Sequence, residues 1–314
     1  MKTGARLALY GAGLVVAFGG AFGLAGVIVP NSLVDAWAEE SETNSHGVGQ
    51  SEAEQGVVGH VLNGLSLSAD GYVLSPLDSP RAVGVLGEIT FQVLDELGEP
   101  VTEFTTAHGE DLHLIVVRTD GAQFHHVHPE LTESTGIWSA PWAWGEAGTY
   151  RVYADFTPTT EGASSITLTR TVEVAGDFAP VEKTVRQTTE VDGFTVALHG
   201  DLVAGSSNQL TISITRDGEP VRTLEPYLGA FGHLVALREG DLAYLHVHAE
   251  GEDPTVGATA GPDIAFAAEA PTAGRYLLYL DFQVDGEVHT AEFILDATHG
   301  DGTQGNDESH SGGH

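Results

Sequence analysis

Cysteine is absent from the 314 residues, and there is a single methionine. That excludes disulfides, thiolate nucleophiles, blue-copper centres and thioether Cu(I) sites, so the fold has to be held by buried apolar surface. Lysine is nearly missing, with only Lys2 and Lys183, and 12 basic residues stand against 45 acidic ones for a net charge of -33. A surface of that sign repels nucleic acid and anionic lipid and draws cations weakly and without specificity. Long hydrophobic runs are also missing, with one exception: Leu7 to Val29 carries no charged residue and exceeds the roughly 20 residues that span a bilayer core. Lys2 and Arg6 precede this run, and Asp35, Glu39, Glu40 and Glu42 follow it. The positive-inside rule then puts the N-terminus in the cytoplasm and everything after the run outside. Hydrophobic regions of signal peptides run about 7–15 residues, which favours an uncleaved single-pass anchor. Ala36-Trp37-Ala38 nevertheless has the form of a cleavage site, so secretion after cleavage at Ala38 is the alternative.

Past this segment (1–38, helix about 7–29), residues 39–58 are acidic and rich in Gly and Ser, and read as a flexible stalk. The tail at 298–314 is a low-complexity, histidine-bearing stretch expected to be disordered. Between them lie short β-like segments separated by Gly, Pro and Asp-Gly signals, among them HLIVV (113–117), TYRVYADF (149–156), HLVAL (233–237) and RYLLYLDF (275–282). No segment of this region has helical amphipathicity, so the expected class is all-β, of sandwich type.

An internal repeat organises these segments. Gly98-Glu99-Pro100-Val101 recurs as Gly218-Glu219-Pro220-Val221, and the alignment runs without a gap to His128 and His248. Ala147-Gly148-Thr149-Tyr150 then matches Ala273-Gly274-Arg275-Tyr276, and Asp155-Phe156 matches Asp281-Phe282. Two tandem β-sandwich domains follow, at 60–176 and 186–297, with a linker around 177–183.

His113, His126 and His128 recur as His233, His246 and His248. A tight turn at Asp120-Gly121 makes strands 113–119 and 122–128 a hairpin in which His113 faces His128, with His126 diagonal on the same face. A turn at Gly240-Asp241 does the same for His233, His248 and His246. Three neutral nitrogen donors on one face of each hairpin are what a metal ion requires. Asp155 and Asp281, in strands where aspartate is depleted, are candidates for a fourth ligand or an acceptor for an imidazole N–H. Two like sites, each independent of the other, are the expectation. His125 has Leu245 as its counterpart and is read as incidental, while His108, His199 and His289 have no histidine counterpart and are read as surface residues. Trp138, Trp142 and Trp144 read as core and loop packing. Imidazole with carboxylate suits Cu(II) or Zn(II), and intrinsic affinity leans towards Cu(II).

The strings HLIVVRTDGAQFHHVHPEL and GHLVALREGDLAYLHVHAEGE, each followed by a strand ending Asp-Phe, resemble actinobacterial membrane-anchored or secreted heavy-metal-binding proteins with tandem YtkA-like, immunoglobulin-like domains. The resemblance spans both repeats and implies immunoglobulin-like sandwiches with a metal-handling role outside the membrane, in association with a metal-efflux system. This sequence departs from the repeated pattern at Ala249, where the first copy has Pro129. The expected function is metal buffering, delivery or resistance, without catalysis: HExxH and Gly-x-Ser-x-Gly are both missing. The alternative is a structural or adhesive immunoglobulin-like surface module in which the histidines have no metal role.

Overall fold

The computed structural model describes residues 62–300 apart from positions 161, 246, 252, 253 and 256; of His248 only the backbone is described. The segments read as a membrane or signal helix (7–29), a stalk (39–58) and the tail beyond 300 lie outside the described residues. Within them every regular element is a strand, and the all-β, two-repeat architecture expected from the pattern is what is found.

Two apolar cores form. One gathers residues from Leu74 to Val174, with Trp138, Trp144 and Tyr150 among its largest members. The other gathers residues from Phe194 to Ala297. Each lies between two sheets. In the first repeat, a sheet ordered Ile166–Val174, Gly148–Pro158, Leu112–Arg118, His125–Val127 opposes a smaller one ordered Gly87–Phe91, Ile137–Trp142, Glu130–Thr132. In the second, Glu287–Thr298, Gly274–Val284, His233–Arg238 and Tyr244–Leu245 lie side by side and oppose the sheet built around Ser207–Arg216. The repeated Gly-x-Tyr motif has a structural reason. Tyr150 donates its hydroxyl to the Glu146 carbonyl (2.8 Å), and Tyr276 does the same to Thr272 (2.8 Å). This is the short-range tyrosine corner of immunoglobulin-like sandwiches.

Not every strand shows the simple in–out alternation of a two-layer sandwich. Ser207–Arg216 alternates, as a strand with one wet face should. Leu112–Arg118 is buried at every position, and Gly274–Val284 at every position from Tyr276 to Phe282. The cause is a third core between the repeats, where Ile115, Val117 and Tyr153 meet Val235, Leu237, Leu277, Tyr279 and Ile294. Along Leu112–Arg118, Leu114 and Val116 therefore enter the first sandwich while His113, Ile115 and Val117 face the second repeat. Phe124 stacks on Tyr279 with centroids 4.0 Å apart. Tyr279 donates to the Gly121 carbonyl (2.7 Å), and Tyr153 donates to the Leu242 carbonyl (2.6 Å). The linker is tied into this seam. Phe178 lies under the Arg118 guanidinium, Val181 N–H donates to Asp120 (2.9 Å), and Lys183 reaches Glu292 (3.3 Å).

Candidate metal centre

The first hairpin has the register expected from its sequence, though not the turn. Leu114 lies opposite Val127 and Ile115 opposite His126, so His113 and His128 are the next pair outward. The turn runs longer than two residues, with Gln123 in the left-handed region (φ 54°), and the returning strand is only His125–Val127. A bidentate Arg118–Asp120 pair (2.8 Å for both bonds) ties this turn to the end of the first strand. His126 and His128 end up on the same face as His113, and that face looks into the seam. His125 points the other way, against Trp142 (5.2 Å between centroids).

The three imidazoles meet. His113 Nδ1 lies 3.1 Å from His126 Nε2 and 3.2 Å from His128 Nε2, and one nitrogen from each ring falls within 4.8 Å of the other two. Their outer partners settle where two of the protons sit. His113 Nε2 faces the Ala107 carbonyl (3.1 Å), and His126 Nδ1 faces Asp281 Oδ2 (2.9 Å). A carbonyl and a carboxylate only accept, so those nitrogens carry the hydrogens. In the neutral rings His113 Nδ1 and His126 Nε2 are then bare, with two lone pairs aimed at one point. Repulsion of this kind is relieved by a cation between them, a proton in acid or a metal ion. Burial, reinforced by the neighbouring His126, pulls His113 down from 6.5 to about 3. The same causes pull His128 down to about 4. His113 is therefore neutral, and able to ligate, at physiological pH.

Asp281 was expected to serve the second triplet, but it sits with the first. It projects from Gly274–Val284 of the second repeat, 3% exposed, holds His126, and accepts from Thr290 Oγ1 (2.6 Å). Asp155, the cross-strand neighbour of His113, accepts from Ser165 (2.7 Å) and Thr167 (2.9 Å). It lines a cavity of about 450 Å³ in the seam together with His113, His126 and His233. His233 pairs across strands with Asp281, and its Nε2–H donates to the Tyr227 and Leu228 carbonyls (2.9 and 3.1 Å). Burial lowers its pKa to about 4.

The second hairpin departs from expectation. His246 lies outside the described residues. The strand expected at 242–248 is split: Tyr244–Leu245 pairs back onto Ala236 and Leu237, whereas Val247–Ala249 crosses to the opposite sheet and sets His248 beside Ala267 rather than His233. In the first copy the returning strand ends at Val127, and the chain joins the opposite sheet only past Pro129, at Glu130–Thr132. In the second copy the change comes at Val247, and Ala249 takes part in the new ladder opposite Phe266, where a proline could not donate. Of the histidines read as surface residues, His108 is exposed as expected, yet it stands against His113 and His233 (centroids 6.2 and 5.7 Å), because a left-handed His108 followed by Gly109 folds its loop over the site; His289 needs correction. His289 is 6% exposed, packed on Phe194 and bonded to Asp192 (2.9 Å). Neither placement has a local sequence signal, since both depend on packing between distant segments.

Fold and site define a tandem immunoglobulin-like β-sandwich protein with a histidine cluster at the junction of its repeats. Residues 67–176 and 189–299 both match one family model, so the chain belongs to the family described as domain of unknown function DUF8832. This is the family that matches, in place of the YtkA-like group the sequence resembles. None of the curated proteins matches the chain. Among solved structures it is similar to a Salmonella alpha-2-macroglobulin mutant (13% identity, 77% of this chain and 16% of that one, TM-score 0.24). It is similar also to the Yersinia pseudotuberculosis adhesin InvE (13%, 74% and 60%, TM-score 0.20) and the Escherichia coli adhesin FdeC (14%, 75% and 66%, TM-score 0.22). The chain spans less than two thirds of the length of each of these structures. Likeness at this level carries no functional argument.

Proposed function

We propose that this protein binds a divalent metal ion outside the membrane, through His113, His126 and His128, as a non-catalytic buffering, delivery or resistance protein. The observation that carries the reading is the convergence of three imidazole nitrogens, with His113 Nδ1 3.1 Å from His126 Nε2 and 3.2 Å from His128 Nε2. Two nitrogens on one tetrahedral zinc, at about 2.0–2.1 Å each, stand about 3.3 Å apart. The spacing therefore supports Zn(II) at least as well as the Cu(II) that affinity alone favours. The extracytoplasmic location rests on the charge pattern around 7–29. Calorimetric titration of the full chain with Zn(II), and separately with Cu(II), tests the proposal. One saturable site lost in His113→Ala is expected, over any weak binding by the tail. An unchanged isotherm in the variant would show that the cluster is not the site.

A structural or adhesive immunoglobulin-like surface module, in which the histidines have no metal role, is the second reading. The seam between the repeats, with its own apolar core, suits a stiff spacer. Under this reading the His113→Ala protein loses no metal site because there is none to lose.

A further inference from the structure

All three nitrogens that converge at the centre come from the first repeat, but the group that orients one of them does not. Asp281 belongs to the second repeat, and its bond to His126 Nδ1 joins two side chains that are each 4% exposed. The hairpin carrying His126 and His128 is also gripped at its far end by the second repeat, through the Phe124–Tyr279 stack and the bond from Tyr279 to Gly121. On the second repeat, Leu277, Tyr279 and Asp281 share one face, the apolar pair continuing directly into the carboxylate. The imidazole cluster is thus the polar end of the apolar seam.

We infer that the metal centre is completed across the two repeats, with Asp281 as the positioning residue for His126, so that metal occupancy and docking of the repeats reinforce each other. The inference rests on the metal reading above. Its physical basis is twofold. A carboxylate on the far nitrogen fixes the tautomer that leaves Nε2 bare and makes the ring a better donor to the ion; losing such a partner typically weakens metal affinity about 10–100-fold. Conversely, a metal on Nε2 draws electron density from the ring and makes Nδ1–H a stronger donor to Asp281. Whatever docking adds to metal affinity, metal must return to docking.

The test is Zn(II) affinity of the full chain measured against a competing chelator. Asp281→Ala should bind about 10–100-fold more weakly than the wild type. Asp281→Asn, which keeps an acceptor oxygen without the charge, should fall between. Leu278→Ala, on the same strand but facing the second repeat's own core, should destabilise the fold and leave affinity unchanged. In the wild type, zinc should also slow amide hydrogen exchange along Gly274–Val284, although that strand supplies no ligand. Wild-type zinc binding with equal affinity in Asp281→Ala, or with exchange in that strand unaltered by zinc, overturns this inference alone. Failure of the wild type to bind zinc overturns it together with the metal reading. The exchange measurement needs no variant, so a misfolded Asp281→Ala still leaves the question decidable.

Discussion

His113 should give the metal-free protein a histidine-driven loss of stability in mild acid. It is 8% exposed, and its pKa falls from 6.5 to about 3 because burial and the adjacent His126 disfavour the charged ring. The sign follows from proton counting. Between pH 6.5 and about 3 the unfolded chain holds the proton and the folded one does not, so the contribution is complete above pH 6.5 and is lost as pH falls. From pH 8 to pH 5 this one residue accounts for about 2 kcal/mol. For a domain pair of this size that is a fall in Tm of about 4–8 °C. His128 and His233, both drawn down to about 4, act in the same direction. The net charge of -33 acts in the opposite one, because protonation relieves self-repulsion. The readout is therefore the difference between wild type and His113→Gln, melted in chelator at high salt, where the shared charge effect cancels. The stability advantage of the wild type should shrink by about 4–8 °C between pH 8 and pH 5. Parallel melting curves across that range would refute the assignment of His113 as a buried neutral ring.

Zinc at 100 times its Kd should raise stability by about 2.7 kcal/mol at pH 7.5 and do so no longer near pH 5, where protons compete for the same nitrogens; a rise that persists at pH 5 and vanishes in salt would indicate diffuse binding to the acidic surface instead. His125→Leu should leave the zinc isotherm unchanged, since its ring lies on the far face against Trp142; a lost site would mean that the strand register is wrong. Gly121→Ala should cost about 2–4 kcal/mol in chemical unfolding, because a left-handed backbone (φ 78°) is combined with a Cβ pressed into the Leu277 side chain. Gly98→Ala has the same φ (78°) with nothing within 4 Å, and should cost only about 1–2 kcal/mol; equal losses would show that the seam is not tightly packed at Gly121.

Much of the fold was legible because strand patterns and turn residues are local. The repeat, the hairpin register that sets His113 opposite His128, and the Gly-x-Tyr corners all follow from spacing along the chain. The continuous apolar runs HLIVV and RYLLYLDF carried a further message, that these strands are buried on both faces, which a reading as independent sandwiches does not use. From that omission came the expectation of two separate sites. Asp281 and His113 both point into the seam, and only the docking of one repeat on the other brings Asp281 to His126. The early sheet change in the second copy was foreshadowed by a single position, Ala249 in place of Pro129. Its consequence, His248 opposite Ala267, depends on which sheet offers the freer edge, a property of the whole sandwich.

The seam is reciprocal. Tyr153 of the first repeat caps a turn carbonyl of the second at Leu242, and its counterpart Tyr279 caps the matching turn of the first at Gly121. Gly109 approaches Leu228 while Gly229 approaches His108. Contacts in which i meets j and j meets i are the mark of a two-fold interface between like subunits. Severed between the repeats, the halves would present the surfaces of a homodimer. In a real homodimer every substitution appears twice, and the two sites change together. Joining the halves in one chain removes that constraint, so one copy can keep Pro129 and a converged histidine triplet while the other, with Ala249, sends its strand elsewhere.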